Sequence, residues 1–598
     1  MSEASNHQFI RRMIFLGIIQ IVFILILVGR MCYLQIFEGS HYRLLAEGNR
    51  IATRPVVPLR GQIYDRHGVL LAQNETNFRV IFLTDKRSEV EETLYTLSGL
   101  ITLSDEEKKA LNVIHKKRGL DSVIIKDNLT WEEVSAIELH TAELPGISIE
   151  IGSTRRYPKV EAGAHLLGYV ASSSEKEQVN DAMLTISGLK VGKVGLEKYF
   201  DKDLRGNPGH SAFEINAKRK VVRELYQIPS STGQDVHLTI DSRLQDYAQS
   251  VLSRYESASA VVIDIHTGDI LALVSNPSFD PNLFPKGIGH KPWNELQENP
   301  YVPMTNKAIS GLYAPGSTVK LFVALAALEL RVIHKNDTVY CPGHTYVGNH
   351  KFHCMHAHGN VNVSRAIVES CDVFFYEVGK KIGIDRLSAF YRDFGLGEGG
   401  LENFPHCKKG LVPTKDWKKE KKNTNWNVSD TVQVSIGQGF MLASPLELAV
   451  AMARLAGGGK KISPSLTKQD LTVFEKMEIN PEHLETILEA SKGVVNEPNG
   501  TAFRHRIQTP GLEMAGKTGT SQVRRITLAQ RKAGLTKTHH LAWKYREHGL
   551  FIGHASHYAI AVVVEHAGGS GPAAQAARDI LEKAQILERD EGCQAKSS

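Results

Sequence analysis

A serine and a lysine three residues apart open a long apolar segment near the middle of the chain. The segment reads YAPGSTVKLFVALAALEL, with Pro315 and Gly316 before Ser317, and Lys320 three residues after it. This spacing predicts both side chains on one helix face, beside the partial positive charge of the helix N-terminus. A lysine can then take the serine proton if burial or a second cation lowers its pKa. Most isolated Ser-x-x-Lys sequences are capping serines with solvated lysines, so the pair alone decides nothing.

Two further polar motifs follow this pair along the chain. The first, within ESCDVFFYEVGKKIG, is Ser370-Cys371-Asp372, and the second is KTGTS, Lys517 to Ser521, on a predicted strand. Three motifs in this order resemble the signature of the penicillin-recognising serine acyltransferases, which is Ser-x-x-Lys, Ser-x-Asn and Lys-Thr-Gly. Asp372 departs from the asparagine of the general pattern.

The resemblance extends over nearly the whole chain and is to the class B penicillin-binding proteins. The middle motif Ser-Cys-Asp, with EHGLFIGHAS and VEHAGGSGPAAQAARDIL near the C-terminus, is similar to the elongation-specific branch of that family. The other segments that carry the resemblance are RGQIYDRHG, AHLLGYV, GLEKYFDKDLRG, DIHTGDILALVSNPSFDPN, NKAISGLYAPGSTVK, SIGQGFMLASPLELA and NGTAFR.

The resemblance implies a peptidoglycan D,D-transpeptidase that acts through a covalent acyl-enzyme during cell elongation. Ser317 attacks the carbonyl of the penultimate D-Ala of a stem peptide, Lys320 takes its proton, and Ser370 delivers a proton to the leaving D-Ala. An amine of a neighbouring stem peptide then attacks the ester and forms a cross-link. Asp372 and Lys517 complete the implied catalytic set. β-Lactams are expected to acylate Ser317 as substrate mimics.

The same resemblance assigns the groups that bind the substrate. The backbone N–H groups of Ser317 and Thr520 are expected to form the oxyanion hole. Lys517, with Thr518 and Ser521, is expected to hold the terminal carboxylate of the substrate. Gly519, which has no Cβ, is expected to let the substrate backbone approach the strand.

Two other readings of the motifs remain open at this point. A β-lactamase or a D,D-carboxypeptidase shares the three motifs but passes the acyl group to water, and the large N-terminal region argues against both. A non-hydrolytic β-lactam sensor or scaffold would use acylation only as a signal, and the intact set of motif residues weakens that reading.

The elements around the motifs predict a multidomain α+β protein, since 598 residues exceed what one hydrophobic core usually supports. Strand-like segments lie at both ends of the C-terminal region and helical ones between them, which predicts an antiparallel sheet covered by helices. Before it we expect an elongated α+β pedestal with helical stretches such as 105–113 and 130–139. The expected divisions are a tail (1–12), an anchor (13–37), the pedestal, or dimerisation-like, domain (38–230), the transpeptidase domain (231–590) and a tail (591–598).

The apolar run from Met13 to Gly29 predicts a transmembrane helix. With Met31 to Phe37 it can cross a hydrocarbon core of about 30 Å, with Arg30 reaching a head group. No site of small residues follows the run, so an uncleaved anchor is favoured over a signal peptide. We expect a single-pass protein of the cytoplasmic membrane with its catalytic domain in the periplasm.

Three cysteines and five histidines crowd between residues 341 and 371. A structural zinc site formed by Cys341, Cys354, Cys371 and His358 is one reading, because three thiolates and an imidazole suit a closed tetrahedral site. A disulfide between Cys341 and Cys354 is the other. The disulfide would leave Cys371 as a buried small hydrophobe. The metal would brace the Ser370 motif, which contains Cys371, and would not perform chemistry, so no cofactor is required for the reaction.

The charge distribution and the resemblance indicate the partners. A net charge of +6, with basic and acidic residues interleaved, gives no support for nucleic-acid binding. No glycosyltransferase-like region precedes the pedestal, so the resemblance implies a membrane-bound polymerase of the SEDS family as partner. It also implies an elongation scaffold protein that contacts the pedestal.

Overall fold

The computed structural model describes residues 3–40, 51–82, 87–103, 123–215, 221–468, 473–524 and 541–597. It begins with a long helix, α1 (Glu3–Cys32), which continues as one π-helical turn to Phe37. Within Phe9–Phe37 an 18-residue window has a mean hydropathy of 2.5, and none of that window is buried. Among the described residues it is the one helix long and apolar enough to cross a membrane. The expected helix at 105–113 lies outside the described residues.

The pedestal combines twisted sheets with short helices. Long strands β3 and β5 pair antiparallel from Gln73↔Arg156 to Phe82↔Ile147, and β1, β8 and β9 form a separate three-stranded sheet. The strands are β1 (Ile51–Val56), β2 (Ile63–Tyr64), β3 (Leu70–Phe82), β4 (Val123–Lys126), β5 (Ile147–Arg156), β6 (Val170–Ser172), β7 (Lys190–Gly192), β8 (Gly209–Ile215) and β9 (Val221–Ile228). The helices are α2 (Arg87–Leu100), α3 (Trp131–Leu139), α4 (Val160–Leu167), α5 (Glu175–Asn180), α6 (Gly195–Tyr199) and α7 (Asp201–Arg205).

The pedestal has a small hydrophobic core of its own. Val80 and Phe82 of β3 pack there with Leu97 of α2 and Ile137 of α3. Helix α3 begins with a capping box in which Thr130 and Glu133 satisfy each other's backbone N–H groups, so the helix expected at 130–139 is confirmed. A short strand, β10 (Val236–His237), lies after the expected boundary at residue 230 and pairs in parallel with β2.

The C-terminal region is built on a five-stranded antiparallel sheet in the order β12-β11-β19-β18-β17. Its strands come from both ends of the region, as the sequence predicts. They are β11 (Ala258–Asp264), β12 (Ile270–Asn276), β17 (Ala515–Ser521), β18 (His548–Ala555) and β19 (Tyr558–Val564). The hairpin between β11 and β12 turns at Gly268, whose φ is +79°, while Asp264 accepts hydrogen bonds from the backbone N–H groups of His266 and Thr267.

Helices cover this sheet, and between them lie two small two-stranded antiparallel sheets, β13 with β16 and the hairpin β14 with β15. One helix, α11, is buried along its length from Lys320 to Leu328, as expected for a helix that is apolar on every side. The helices are α8 (Ser242–Leu252), α9 (His290–Glu298), α10 (Lys307–Ser310), α11 (Lys320–Glu329), α12 (Val363–Val368), α13 (Asp372–Ile382), α14 (Ile384–Asp393), α15 (Lys415–Lys422), α16 (Val428–Val434), α17 (Pro445–Ala456), α18 (Pro481–Asn496) and α19 (Gly571–Ser597). The small strands are β13 (Val339–Cys341), β14 (His344–Val347), β15 (His350–His353) and β16 (Gly359–Val361).

Candidate active site

Ser317 lies in a tight 3₁₀ turn, Gly316–Val319, that leads directly into α11. The turn packs against β17, the edge strand of the sheet. Gly316 has a φ of +56°, and a Cβ on it would lie 2.4 Å from the carbonyl oxygen of Thr520. Only glycine fits there, because the two backbones approach too closely for a side chain. The backbones that carry the expected oxyanion-hole donors, Ser317 and Thr520, are thus neighbours.

The loop that contains Gly437 and Gln438 also contacts the serine turn and the KTGTS strand. The N–H of Gly316 donates to the carbonyl oxygen of Gly437 over 2.8 Å, and the Gln438 side-chain amide donates to the carbonyl oxygen of Thr520 over 2.8 Å. Gly437 has a φ of +68°, and a Cβ there would meet the Gly316 carbonyl oxygen at 2.2 Å. The serine turn, the KTGTS strand and the loop after α16 are therefore locked together.

Lys320 is fully buried, and its ammonium group is bound by the second motif. Lys320 Nζ donates to the carbonyl oxygen of Ser370 at 2.9 Å, to Ser370 Oγ at 3.1 Å and to Asp372 Oδ1 at 2.6 Å. These three acceptors match the three donors of an ammonium group. The first two motifs therefore meet through Lys320, and Asp372 supplies its counter-charge.

Ser370 holds a backbone conformation that few non-glycine residues adopt. Its φ is +57°, in the left-handed region, and it lies in the bend between α12 and α13. Such a residue costs of order 1 kcal/mol or more and is found where surrounding contacts fix it. Here the bend presents both the hydroxyl and the carbonyl oxygen of Ser370 to Lys320.

Lys517 of the third motif is also fully buried, and its pKa lies well below the usual range of lysine. Burial is the main cause, and the charge of Lys320 adds to it, while Asp372 acts in the opposite direction. Lys517 Nζ lies 3.5 Å from the Oγ1 of Thr518, the next residue of the strand. The site therefore contains two buried lysines that share one carboxylate.

The other residues of the third motif divide between the two sides of β17. A Cβ on Gly519 would meet Thr318 and the carbonyl oxygen of Pro315, so the close approach at this glycine is to the serine turn. The substrate-facing role assigned to Gly519 stays a prediction. Ser521 is buried, as is Thr518, whose Oγ1 lies 2.7 Å from Thr501 Oγ1.

The structure brings together the four residues expected at a metal site. One ligand atom each from Cys341, Cys354, His358 and Cys371 lies within 4.8 Å of the others. His358 Nδ1 is 3.5 Å from the sulfur of Cys341 and 3.5 Å from that of Cys354. All six cysteines of the chain have free thiols.

This cluster adjoins the second motif. The backbone N–H of Asp372 donates to the Cys354 sulfur over 3.2 Å, and Cys371 separates Ser370 from Asp372 in sequence. His358 Nε2 is buried and has no hydrogen-bond partner among the described residues. A ligand that holds the sulfurs of Cys354 and Cys371 in place would therefore also hold the bend that presents Ser370 to Lys320.

Four residues around the site carry no role in the sequence interpretation. Gln438, Asn499 and Thr501 belong to the family-like segments SIGQGFMLASPLELA and NGTAFR, and that resemblance is the signal that points to them. Glu369 and Asn499 bond to each other, with Asn499 Nδ2 donating to Glu369 Oε1 over 3.0 Å. No local pattern predicts these contacts, because the partners are far apart along the chain.

Two family models match the chain. The model for the penicillin-binding protein transpeptidase domain matches residues 258–582, and the model for the penicillin-binding protein dimerisation domain matches residues 55–238. Together they cover the pedestal and the region that contains the three motifs.

The chain is similar over nearly its full length to curated proteins named peptidoglycan D,D-transpeptidase MrdA. The protein of Escherichia coli strain K12 is 34% identical over 95% of this chain and 93% of its own length. That of Acinetobacter baumannii is 34% identical over 94% of this chain and 85% of its own. That of Haemophilus influenzae is 34% identical over 97% and 92%.

Solved structures agree with these matches. The complex between penicillin-binding protein PBP2 and MreC from Helicobacter pylori has a TM-score of 0.79 and 29% identity, and covers 90% of this chain and 99% of that one. The crystal structure of Pseudomonas aeruginosa PBP2 in complex with WCK 5153 has a TM-score of 0.65 and 29% identity, and covers 89% and 96%.

Proposed function

The chain belongs to the class B penicillin-binding proteins and is a peptidoglycan D,D-transpeptidase, and from that premise we propose that Ser317 is the residue it acylates. The observation that carries the proposal is the meeting of all three motifs around one turn. Gly316 is in near contact with Thr520, and Lys320 bonds to both Ser370 and Asp372.

In the first half-reaction Ser317 Oγ attacks the carbonyl carbon of the penultimate D-Ala. A C–O bond forms and, as the tetrahedral intermediate collapses, the C–N bond to the terminal D-Ala breaks. Lys320 takes the proton from Oγ, and the Ser370 hydroxyl, 3.1 Å from Lys320 Nζ, passes a proton to the leaving amine. The backbone N–H groups of Ser317 and Thr520 stabilise the oxyanion, each worth about 10²–10³ in rate.

Substrate binding prepares Lys320 for this step. The substrate carboxylate binds beside Lys517 and favours its protonated form, because opposite charges stabilise each other. The ammonium of Lys517 then lies beside Lys320, with which it already interacts, so a carboxylate bound there changes the field at Lys320.

The second half-reaction passes the acyl group to an amine of a neighbouring stem peptide. The amine attacks the ester carbonyl, a new amide forms and Ser317 regains its proton through Lys320. Thr518, Gly519, Thr520 and Ser521 line the strand along which the donor peptide lies. Cross-linking of a D-Ala-D-Ala stem peptide to an acceptor, followed by mass spectrometry, tests this reaction on wild-type chain and Ser317→Ala. Cross-linked product from the variant would contradict the proposal, and release of D-Ala without cross-links would favour a carboxypeptidase.

The N-terminal helix anchors the catalytic domain on the outer face of the cytoplasmic membrane. Phe9–Phe37 has the length and hydropathy of a single span. Residues 38–230 then form the pedestal and 231–590 the transpeptidase domain, with tails at 1–12 and 591–598. Protease treatment of intact spheroplasts tests the orientation, because only an external domain is cleaved.

Two protein partners follow from the family. The Helicobacter pylori relative is described in complex with MreC, so a scaffold of that kind is expected to bind this pedestal. A polymerase of the SEDS family is expected to supply the glycan strands, since neither family model that matches the chain describes glycan polymerisation. Copurification of the full-length chain from membranes tests both partners.

Cys341, Cys354, His358 and Cys371 form a structural zinc site. Tetrahedral zinc with Zn–S bonds of about 2.3 Å sets its ligands roughly 3.5–4 Å apart, which fits the 3.5 Å separations at His358 Nδ1. Bound zinc would hold the thiolates and stabilise the Ser370 bend, while the reaction of a serine transpeptidase needs no cofactor. Elemental analysis of the purified chain should find one zinc per chain, lost in Cys354→Ser.

A further inference from the structure

A residue outside the three motifs lies against the pocket assigned to the substrate carboxylate. Thr501 Oγ1 is 2.7 Å from the Oγ1 of Thr518, the second residue of KTGTS. Thr518 is 6% exposed, whereas Thr501 is exposed to solvent. The pair thus links the buried end of the pocket to its open side.

The turn that carries Thr501 is fixed at several points. Gly500 N–H donates to the Glu497 carbonyl oxygen and Ala502 N–H to that of Val494, both over 2.9 Å. A Cβ on Gly500 would lie 2.3 Å from the Val494 carbonyl oxygen, so the turn packs tightly on the end of α18. Thr501 is therefore held in one place against the strand.

The same turn is tied to the segment that precedes Ser370. Thr501 N–H donates to the Val368 carbonyl oxygen over 3.4 Å, and Asn499 Nδ2 donates to Glu369 Oε1 over 3.0 Å. Arg365 Nε bonds to the same carboxylate oxygen over 2.8 Å, which keeps Glu369 in position. Thr501 is thus hydrogen-bonded both to the segment before Ser370 and to the KTGTS strand.

Two hydroxyls at this distance share one hydrogen bond, in which one donates and the other accepts. The accepting hydroxyl keeps its own proton, which needs an acceptor elsewhere. A carboxylate beside Lys517 and Thr518 would supply that acceptor, and a hydroxyl that already accepts a hydrogen bond donates more strongly.

We propose that Thr501 is a substrate-binding residue that acts with Thr518 to hold the terminal carboxylate of the donor peptide, with Asn499 and Glu369 as its positioning residues. The proposal rests on the proposed function, because it needs Lys517 and Thr518 to form the carboxylate pocket. It assigns to the turn after α18 a part in recognising the substrate's anionic end.

The test compares acylation of the full chain in detergent by benzylpenicillin and by its methyl ester, which lacks the charge. Thr501→Val keeps the shape and removes the hydroxyl, so its second-order acylation rate with benzylpenicillin should fall about tenfold or more. With the methyl ester the fall should be less than about twofold. Thr501→Ser restores the hydroxyl and should recover the benzylpenicillin rate to within about twofold.

Asn499→Leu tests the positioning residues in the same assay. It should lose part of the preference for benzylpenicillin over the ester, while Asn336→Leu, at an exposed site, should keep it. Equal losses with both ligands, or no loss in Thr501→Val, would overturn the proposal. Absence of any adduct on the wild-type chain would instead remove the proposed function, and this inference with it.

Discussion

Lys320 Nζ lies 2.6 Å from Asp372 Oδ1, so the lysine of the first motif is paired with the carboxylate that ends the second. Lys320 is fully buried, and the side chain of Asp372 is 18% exposed. A buried ammonium needs such a counter-charge, because removing one partner of a buried pair leaves the other uncompensated. The pair therefore holds Lys320 beside Ser370.

Asp372→Asn should destabilise the chain. The amide retains the shape and an acceptor for Lys320 but removes the negative charge that compensates a buried ammonium. Breaking a buried pair in this way costs about 3–5 kcal/mol, so denaturant titration should show a loss of about 3 kcal/mol or more in the free energy of unfolding. Asp385→Asn, which removes an exposed carboxylate paired with Lys415, is the matched control and should lose less than about 1 kcal/mol. No loss in Asp372→Asn would contradict the pairing.

Lys517→Met should abolish acylation and yet raise stability at neutral pH. The pKa of Lys517 is lowered by burial and by Lys320, so below pH 10.5 the unfolded chain binds a proton there more readily than the folded chain. That difference costs the wild type stability, and the cost shrinks as pH rises towards 10.5. The gain in Tm should be larger at pH 6 than at pH 9, and Lys422→Met at an exposed site should give none. A lower Tm at pH 6 would count against the buried lysine being destabilising.

Gly316→Ala should slow acylation, whereas a glycine substitution away from the site should not. Its new Cβ would lie 2.4 Å from the Thr520 carbonyl oxygen, so the serine turn must move away from the strand. A displacement of about 1 Å at a reacting group can cost about 100-fold in rate, which is the fall expected in acylation. Gly458→Ala, which has a φ of +78° but no atom within 4 Å of its Cβ, should lose stability and keep its activity. Equal activity of the two variants would contradict the close approach.

His165 should make the junction between pedestal and catalytic domain sensitive to acid. The pKa of His165 is lowered to about 4, mainly by burial. The charge of Lys307 also lowers this pKa, whereas the hydrogen bond to the Pro303 carbonyl oxygen raises it. Below pH 6.5 His165 binds a proton in the unfolded chain but stays neutral in the folded chain down to about pH 4. The free energy of unfolding therefore falls as pH falls. Between pH 7.5 and pH 5 the cost is about 2 kcal/mol. Buried His548 and His554, whose pKa values also lie at about 4, lose stability over the same range in both chains. Denaturant titrations at both pH values should therefore show a loss about 2 kcal/mol smaller in His165→Gln than in the wild type, and equal losses would exclude His165.

Local sequence signals predict the parts of the site that depend on neighbours along the chain. The spacing of Ser317 and Lys320, the hairpin at Gly268 and the strand at KTGTS follow from helix and strand periodicity and from turn residues. The density of cysteine and histidine singled out Cys341 and His358, which the structure brings together. These features need no knowledge of how distant segments pack.

Contacts between distant segments could not be predicted in this way. The approach of Gly316 to Thr520 and the bond between Thr501 and Thr518 depend on how α11, α18 and β17 pack. The role of Gln438 depends on the loop after α16 reaching the strand edge. The pairing of Lys320 with Asp372 also required the left-handed bend at Ser370, which its residue type does not favour.

The nucleophile is tested most directly by intact mass of the full chain after incubation with benzylpenicillin. The wild type and Ser250→Ala, a control on the exposed side of α8, should each gain the mass of one penicilloyl group and keep it, because deacylation by water is slow. Ser317→Ala should gain none, and peptide mapping should locate the adduct on Ser317. An adduct of equal yield on Ser317→Ala would contradict the assignment of Ser317 as the nucleophile, and rapid hydrolysis of the drug would indicate a β-lactamase.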